Sequence, residues 1–264
     1  MRQNDFNYRI LDAQAHRPWP MPTGPWVMRQ TWHHLLFAHW PLDAHSLRER
    51  IPAGLELDSY HGQAWLGIVP FHMTNVAPRG VPALPRVSAF PELNVRTYVR
   101  LEGKPGVYFF SLDATNPLAV WTAWSLFHLP YYTAAMTVAT SGEHVRYASR
   151  RRSGQRPRFI AEYWPTAEPH PPAPGSLEAF LTERYCLYAE DSASRLHRLE
   201  IHHPPWPLQR AAARIAENTM AAAAGLTLPD CRPLLHYSRR QDMVAWLHHR
   251  AGVSAEKMGE LGRA

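Results

Sequence analysis

Lysine is nearly missing: Lys104 and Lys257 are the only two, so the formal net charge of +6 is an arginine charge. The basic residues are scattered apart from RYASRRRSGQRPR at 146–158. That run reads as the solvated face of a strand or hairpin; a nucleic-acid partner is not expected, because no binding motif or stacking aromatic run accompanies it. Cysteine is equally scarce. Cys186 and Cys231 cannot make a disulfide framework, and without a CxxC the easier home is a reducing interior, although one pair between them stays open. No apolar run reaches membrane-spanning length, and the first twenty residues lack the uninterrupted apolar core of a signal peptide, so the expectation is a soluble, cytoplasmic chain with no membrane partner.

The signatures of several chemistries are also missing. There is no glycine-rich phosphate loop, no Gly-x-Ser-x-Gly and no HExxH. Sixteen histidines invite a metal. The pairs His33-His34, His202-His203 and His248-His249 are adjacent, however, and on strands adjacent rings face opposite sides and cannot share one ion. Neither a metal nor a cofactor is expected.

What is present is bulk for a core. A chain of 264 residues that is 45% hydrophobic, with 10 Trp, can fill one large domain. Residues 1–26, dense in proline, read as an arm laid over the surface. A single domain is expected over 27–250 and a polar tail over 251–264. Strands are expected at 27–40, 64–73, 93–101, 106–112, 185–189, 196–202 and 234–247. Tyr60-His61-Gly62 is read as the turn of a hairpin joining 55–58 to 64–73, and a second hairpin is expected from 144–152 and 158–164. Asp43 and Ser176 are placed to cap short helices. Leu208–Ala224, LQRAAARIAENTMAAAA, reads as a surface helix ended by Gly225. Many short strands with Gly and Pro turns and few helices point to an antiparallel barrel or sandwich with helices attached.

The chain is organised around Val107–Val138. A β-branched and aromatic run ends before Asn116-Pro117, a cap followed by a pre-set first helical position, and Pro130 forbids a helix from passing Leu129. Leu118, Trp121, Ser125 and His128 share helical spacing, with Trp124 beside them, in a segment apolar nearly all round. Such a helix is wrapped by something, either as a plug in the core or as one wall of a ligand cavity. Asp113 is expected to cap its start.

Strand parity puts Glu92, Asn94, Arg96 and Tyr98 on one face and Leu93, Val95, Thr97 and Val99 on the other. The polar face either meets water or lines a polar interior in which Arg96 holds a carboxylate. Tyr131 and Tyr132 point to opposite sides of an extended chain, so at most one enters a cavity.

Four blocks, LLFAHWPLDAHSLRERIPAGLELDSYHGQAWLGIVPFHM (35–73), FPELNVRTYV (90–99), YFFSLDATNPLAVWTAWSLFHLPYY (108–132) and PLLHYSRRQDMVAW (233–246), resemble the YqjF-like family of uncharacterised proteins (domain of unknown function 2071). That family is similar to the acetoacetate decarboxylase superfamily. The resemblance implies an α+β, mainly β fold: a strongly bent antiparallel sheet closing toward a barrel around a small-molecule cavity, with an inner helix, often in a homo-oligomer. In the decarboxylase a lysine of a Phe-Pro-Lys-Lys segment forms a Schiff base with the substrate ketone. The matching segment here is Leu129-Pro130-Tyr131-Tyr132, and a phenol cannot form an imine. The decarboxylase's acidic partner matches Glu92 or Asn94. The expected cavity residues are therefore Glu92, Asn94, Arg96, Trp121, Trp124, His128 and one of Tyr131 and Tyr132, with Glu92, His128 and Tyr131 as candidates for catalysis. Two functions remain open: a lyase-like enzyme on a keto acid or related carboxylate without imine formation, or a non-catalytic sensor or carrier using the same pocket.

Overall fold

Alternation of apolar and polar residues over long stretches makes strands here, and the strands are long enough to bend. The computed structural model describes residues 5–84, 87–116 and 128–251. Its strands are β1 (Met28–Leu42), β2 (Glu56–Leu57), β3 (Ala64–Pro78), β4 (Phe90–Leu101), β5 (Lys104–Ala114), β6 (Tyr131–Ser141), β7 (His144–Arg151), β8 (Arg158–Pro165), β9 (Cys186–Glu190), β10 (Leu196–His202), β11 (Gln209–Asn218), β12 (Leu234–Ala245) and β13 (His249–Arg250). Three short helices accompany them: α1 (Ala44–Arg48), capped by Asp43; α2 (Leu177–Thr182), capped by Ser176; and α3 (Met220–Ala223). The predicted helix over Pro117–His128, with Trp121 and Trp124, lies outside the described residues except for His128 itself, as does Lys257.

Hydrogen bonding carries one sheet round on itself. Taken in the order β5-β6-β7-β8-β11-β12-β1-β3-β4 and back to β5, it closes a nine-strand barrel. The pairs are antiparallel except β5 with β6 and β5 with β9. A second ring shares part of the same wall: β12, β1, β3, β4 and β5 return to one another through β9 and β10. The shared strands are thus buried on both faces, and parity sorts their side chains between two interiors. Leu36, Ala38, Leu66, Ile68, Leu93 and Val95 pack with Tyr147, Phe159 and Tyr163 in the nine-strand barrel. Leu35, Phe37, Val69, Phe71 and Met73 face the other side.

Gly106 lets β9 approach β5. A Cβ added there would stand 2.8 Å from the carbonyl oxygen of Cys186 and 2.7 Å from Tyr188 Cε2, closer than side-chain carbons tolerate.

Four expectations need correction. Residues 208–224 are not a surface helix: β11 occupies Gln209–Asn218, zipped between β8 and β12, and only Met220–Ala223 is helical. Cross-strand partners outweigh alanine's helix propensity there, and Glu217 pairs with Arg158 of β8 at 3.3 Å. The 55–58 strand pairs with β4, not with β3, so Tyr60–Gln63 is a local turn rather than the tip of a hairpin. Asp113, expected as a cap, lies within β5, and its two oxygens accept a bidentate pair from Arg151, at 2.7 and 2.8 Å, in the barrel interior. The basic run is accordingly not all solvated: Arg146 pairs with Glu162 on the surface of the β7–β8 hairpin, but Arg151 turns inward. The amino-terminal arm does cross the domain, yet it is anchored, with Phe6, Ile10 and Trp26 buried against Val244 and Trp246. Both cysteines are free thiols.

Candidate functional site

Inside the second ring lies a cavity of about 420 Å³. Its walls are mostly apolar, supplied by Trp32 and Phe37 of β1, Phe71 of β3, Leu112 of β5, Leu199 of β10 and Trp206 of the loop after β10. The rings of Trp32 and Trp206 stack at 5.7 Å, and the indole N–H of Trp206 donates to the carbonyl of Thr182 at 2.9 Å, which fixes that wall.

The polar groups gather on β4. The two-residue period puts Glu92, Asn94 and Arg96 on the cavity side, while Leu93 and Val95 enter the barrel core. Tyr98, the fourth residue of the face, is not on the cavity wall; its hydroxyl donates to the carbonyl of Leu181 at 2.8 Å and lies 2.6 Å from His39 Nε2. A bulge in β5, where Phe110 is skipped between Ser111 and Phe109, keeps the β4 parity intact past Arg96.

Glu92 is buried, and desolvation pushes its carboxyl from 4.5 up to about 8, with the Asp113 carboxylate adding to the rise and a hydrogen bond from Tyr131 opposing it. The Tyr131 hydroxyl donates to Glu92 Oε2 at 2.7 Å. Tyr131 reaches that position because β6 runs parallel to β5 with Tyr131 opposite Leu112. Tyr132 faces the other way: it is half-exposed, under the Arg151 guanidinium at 3.8 Å from its ring centroid. One tyrosine of the pair enters the cavity, and it is Tyr131.

Arg96 spends Nη2 on the carbonyl of Leu181 at 3.0 Å and lays its guanidinium over Phe37. Its Nε and the Oδ1 of Asn94 are buried with no hydrogen-bond partner among the described residues. An unpaired donor and an unpaired acceptor thus belong to two alternate residues of the cavity-lining strand, an unusual cost for a fold to carry.

His128 does not line the cavity. Its ring packs against His197 and His248, with centroids at 5.0 and 5.6 Å. Lys104 is also elsewhere: its ammonium pairs with Glu200 Oε1 at 2.9 Å and sits over the Trp19 ring. Glu200 alternates with the cavity-lining Leu199 and Ile201, so this amine is on the outer face of β10. No lysine lines the cavity among the described residues.

Thr182, Arg184, His203 and Trp206 complete the wall and were not legible as site residues. Arg184 is held by Asp58 Oδ2 at 2.7 Å. Burial lowers the His203 imidazole, which stays neutral. These four come from irregular segments around α2 and after β10, where no periodicity marks an inward face.

A doubly ringed, strongly bent sheet around a small cavity is the acetoacetate decarboxylase-like fold. The solved acetoacetate decarboxylase of Legionella pneumophila superposes with a TM-score of 0.61 at 12% identity, covering 96% of this chain and 98% of that one. The enduracididine biosynthesis enzyme MppR, solved in complex with pyruvate, superposes with a TM-score of 0.57 at 13% identity, over 90% of this chain and 97% of that one. Within that fold, the chain belongs to the DUF2071 family, described as an uncharacterized conserved protein, which it matches over residues 29–242. It is 49% identical over 226 residues to the uncharacterized protein YqjF of Bacillus subtilis (strain 168), covering 86% of this chain and 93% of YqjF. No helix among the described residues is long and apolar enough to cross a membrane.

Proposed function

We propose that the cavity binds a small carboxylate of the keto-acid class, with Arg96 holding the carboxylate and Glu92 moving a proton, and that the protein acts as a lyase-like enzyme without an imine intermediate. The observation that carries this reading is that Glu92, Asn94 and Arg96, alternate residues of β4, stand on one wall of a mostly apolar cavity. The Arg96 guanidinium offers N–H donors to a carboxylate, and the Asn94 amide offers a donor and an acceptor to the same ligand. Glu92 holds its proton at neutral pH, so it brings no repelling charge to an anionic guest and can donate to a carbonyl oxygen next to the bound carboxylate. The solved MppR relative, complexed with pyruvate, is consistent in ligand class. The volume suits such a guest with room to spare. With both cysteines free, a reducing compartment such as the cytoplasm fits the chain.

The resemblance that matches Tyr131 and Tyr132 to the decarboxylase's two lysines favours a second reading, a sensor or carrier that keeps the pocket without the chemistry. A panel of small keto acids and simple carboxylates, screened for both turnover and thermal stabilisation, separates the two. Turnover that survives borohydride treatment assigns the enzyme; stabilisation without turnover assigns the carrier. Neither effect from any member of the panel overturns the carboxylate reading, and a borohydride-trapped adduct on lysine overturns the exclusion of the imine.

A further inference from the structure

We propose that His128, Asp191 and His197 form a binding site for one divalent ion of the Zn²⁺ class, with water in the fourth position, beside the cavity rather than in it. The ligating atoms of the three all lie within 4.8 Å of one another. The three residues come from three separate segments: the chain entering β6, the turn after β9, and strand β10. Adjacent histidines on one strand cannot share an ion, but rings delivered by different segments can.

Each ligand is held in place by something other than the ion. Asp191 Oδ1 accepts the backbone N–H groups of Ala193 and Arg195 at 2.9 and 3.0 Å, which fixes the carboxylate and leaves Oδ2 for other partners. His197 stands opposite Ala189 in the β9–β10 pair, and its Nε2 lies 2.9 Å from Asp191 Oδ2. Its Nδ1, on the other side of the ring from Asp191, is buried with no hydrogen-bond partner among the described residues. His128 has a left-handed backbone, φ +53°, next to Leu129, whose side chain is buried with Ala189. The His248 ring sits edge-on to both other rings, at centroid distances of 5.6 Å from His128 and 4.9 Å from His197.

Two imidazoles and one carboxylate, with water in the fourth position, are a donor set for a borderline cation, and four-coordinate geometry at zinc distances needs donor atoms about 3.3 Å apart. The cluster must tighten by about 1.5 Å at its widest. The competing partner of Asp191 Oδ2 is Arg195, 2.7 Å away, and with half its side chain exposed it can release the oxygen into water at small cost. His197, Leu199 and Ile201 share one face of β10, and the latter two line the cavity. An ion here would tie β10 to the segment that places Tyr131 three residues later, and so steady the wall that carries the Tyr131–Glu92 bond.

The test uses the untagged, chelator-treated full chain and metal alone. Equilibrium dialysis against Zn²⁺ should give one ion per chain, and Co²⁺ should give the intense visible bands of a four-coordinate site. His128→Ala and His197→Ala should each weaken binding on the order of 100-fold and abolish the Co²⁺ bands. His45→Ala, which removes an exposed histidine paired with Glu49, should change neither. Zn²⁺ should raise the melting temperature of the wild type and not of His128→Gln, a variant that keeps side-chain bulk if the alanine variants fold poorly. No ion bound by the wild type, or binding that is the same in His128→Gln, overturns the site.

Discussion

The Tyr131 hydroxyl and the Glu92 carboxyl meet across the cavity wall at 2.7 Å, joining β6 to β4 where two interiors share a sheet. The bond puts a protonated carboxyl in reach of a guest and keeps it oriented. It follows from two local facts, the parity of β4 and the parallel register of β5 with β6.

Glu92 makes stability depend on pH. Its folded pKa of about 8 lies above the ordinary 4.5, so the folded state retains a proton that the unfolded state releases. Stability from this group is full below about pH 4.5 and is lost as the pH rises toward about 8, a swing on the order of 4 kcal/mol. Urea unfolding from pH 5 to 9 should show Glu92→Gln gaining on the wild type across that window. Parallel curves would contradict the assignment.

Tyr131→Phe removes the one hydrogen bond that holds the Glu92 value down, so the pH midpoint should move above that of the wild type. The loss should cost about 1–2 kcal/mol in denaturant titrations. Tyr132→Phe, at a half-exposed position, should change stability by less than about 0.5 kcal/mol and leave the midpoint in place.

Asp113 and Arg151 are a buried bidentate pair, and removing one partner strands the other's charge. Asp113→Ala should destabilise by about 3–5 kcal/mol, whereas Asp113→Leu with Arg151→Met together should cost less than either alone. A double-mutant cycle in chemical denaturation measures the difference; additive losses would show that the pair is not coupled.

At Gly106 a methyl group has no room between β5 and β9. Gly106→Ala should therefore destabilise by about 1–3 kcal/mol and loosen the β9–β10 wall, read as faster amide exchange at Tyr188. A neutral or stabilising effect would mean that the two strands can part without cost.

Much of this was legible from residues alone. Two-residue alternation grouped Glu92, Asn94 and Arg96 on one face but left open whether that face meets water or an interior, and the adjacent tyrosines had to split between two sides of the strand. The capping residues Asp43 and Ser176 start helices where they were expected. What local pattern could not supply were partners distant in the chain. The alanines of 208–224 have helix propensity, but two flanking strands claim them for the sheet. Asp113 reads locally as a helix cap, but Arg151, on β7 two strands further along the chain, holds it. Arg184, His203 and Trp206 reach the cavity from loops, and no periodicity announces a loop's inward side.

The central claim is that Arg96, not a lysine, holds the ligand. The most direct measurement is a crystal structure of the protein saturated with pyruvate, the ligand of the solved MppR relative. The account predicts the carboxylate within hydrogen-bond distance of the Arg96 guanidinium, the rest of the molecule toward Asn94 and Glu92, and no bond to any lysine. Pyruvate bound covalently to a lysine, or a cavity without it at saturation, would contradict it.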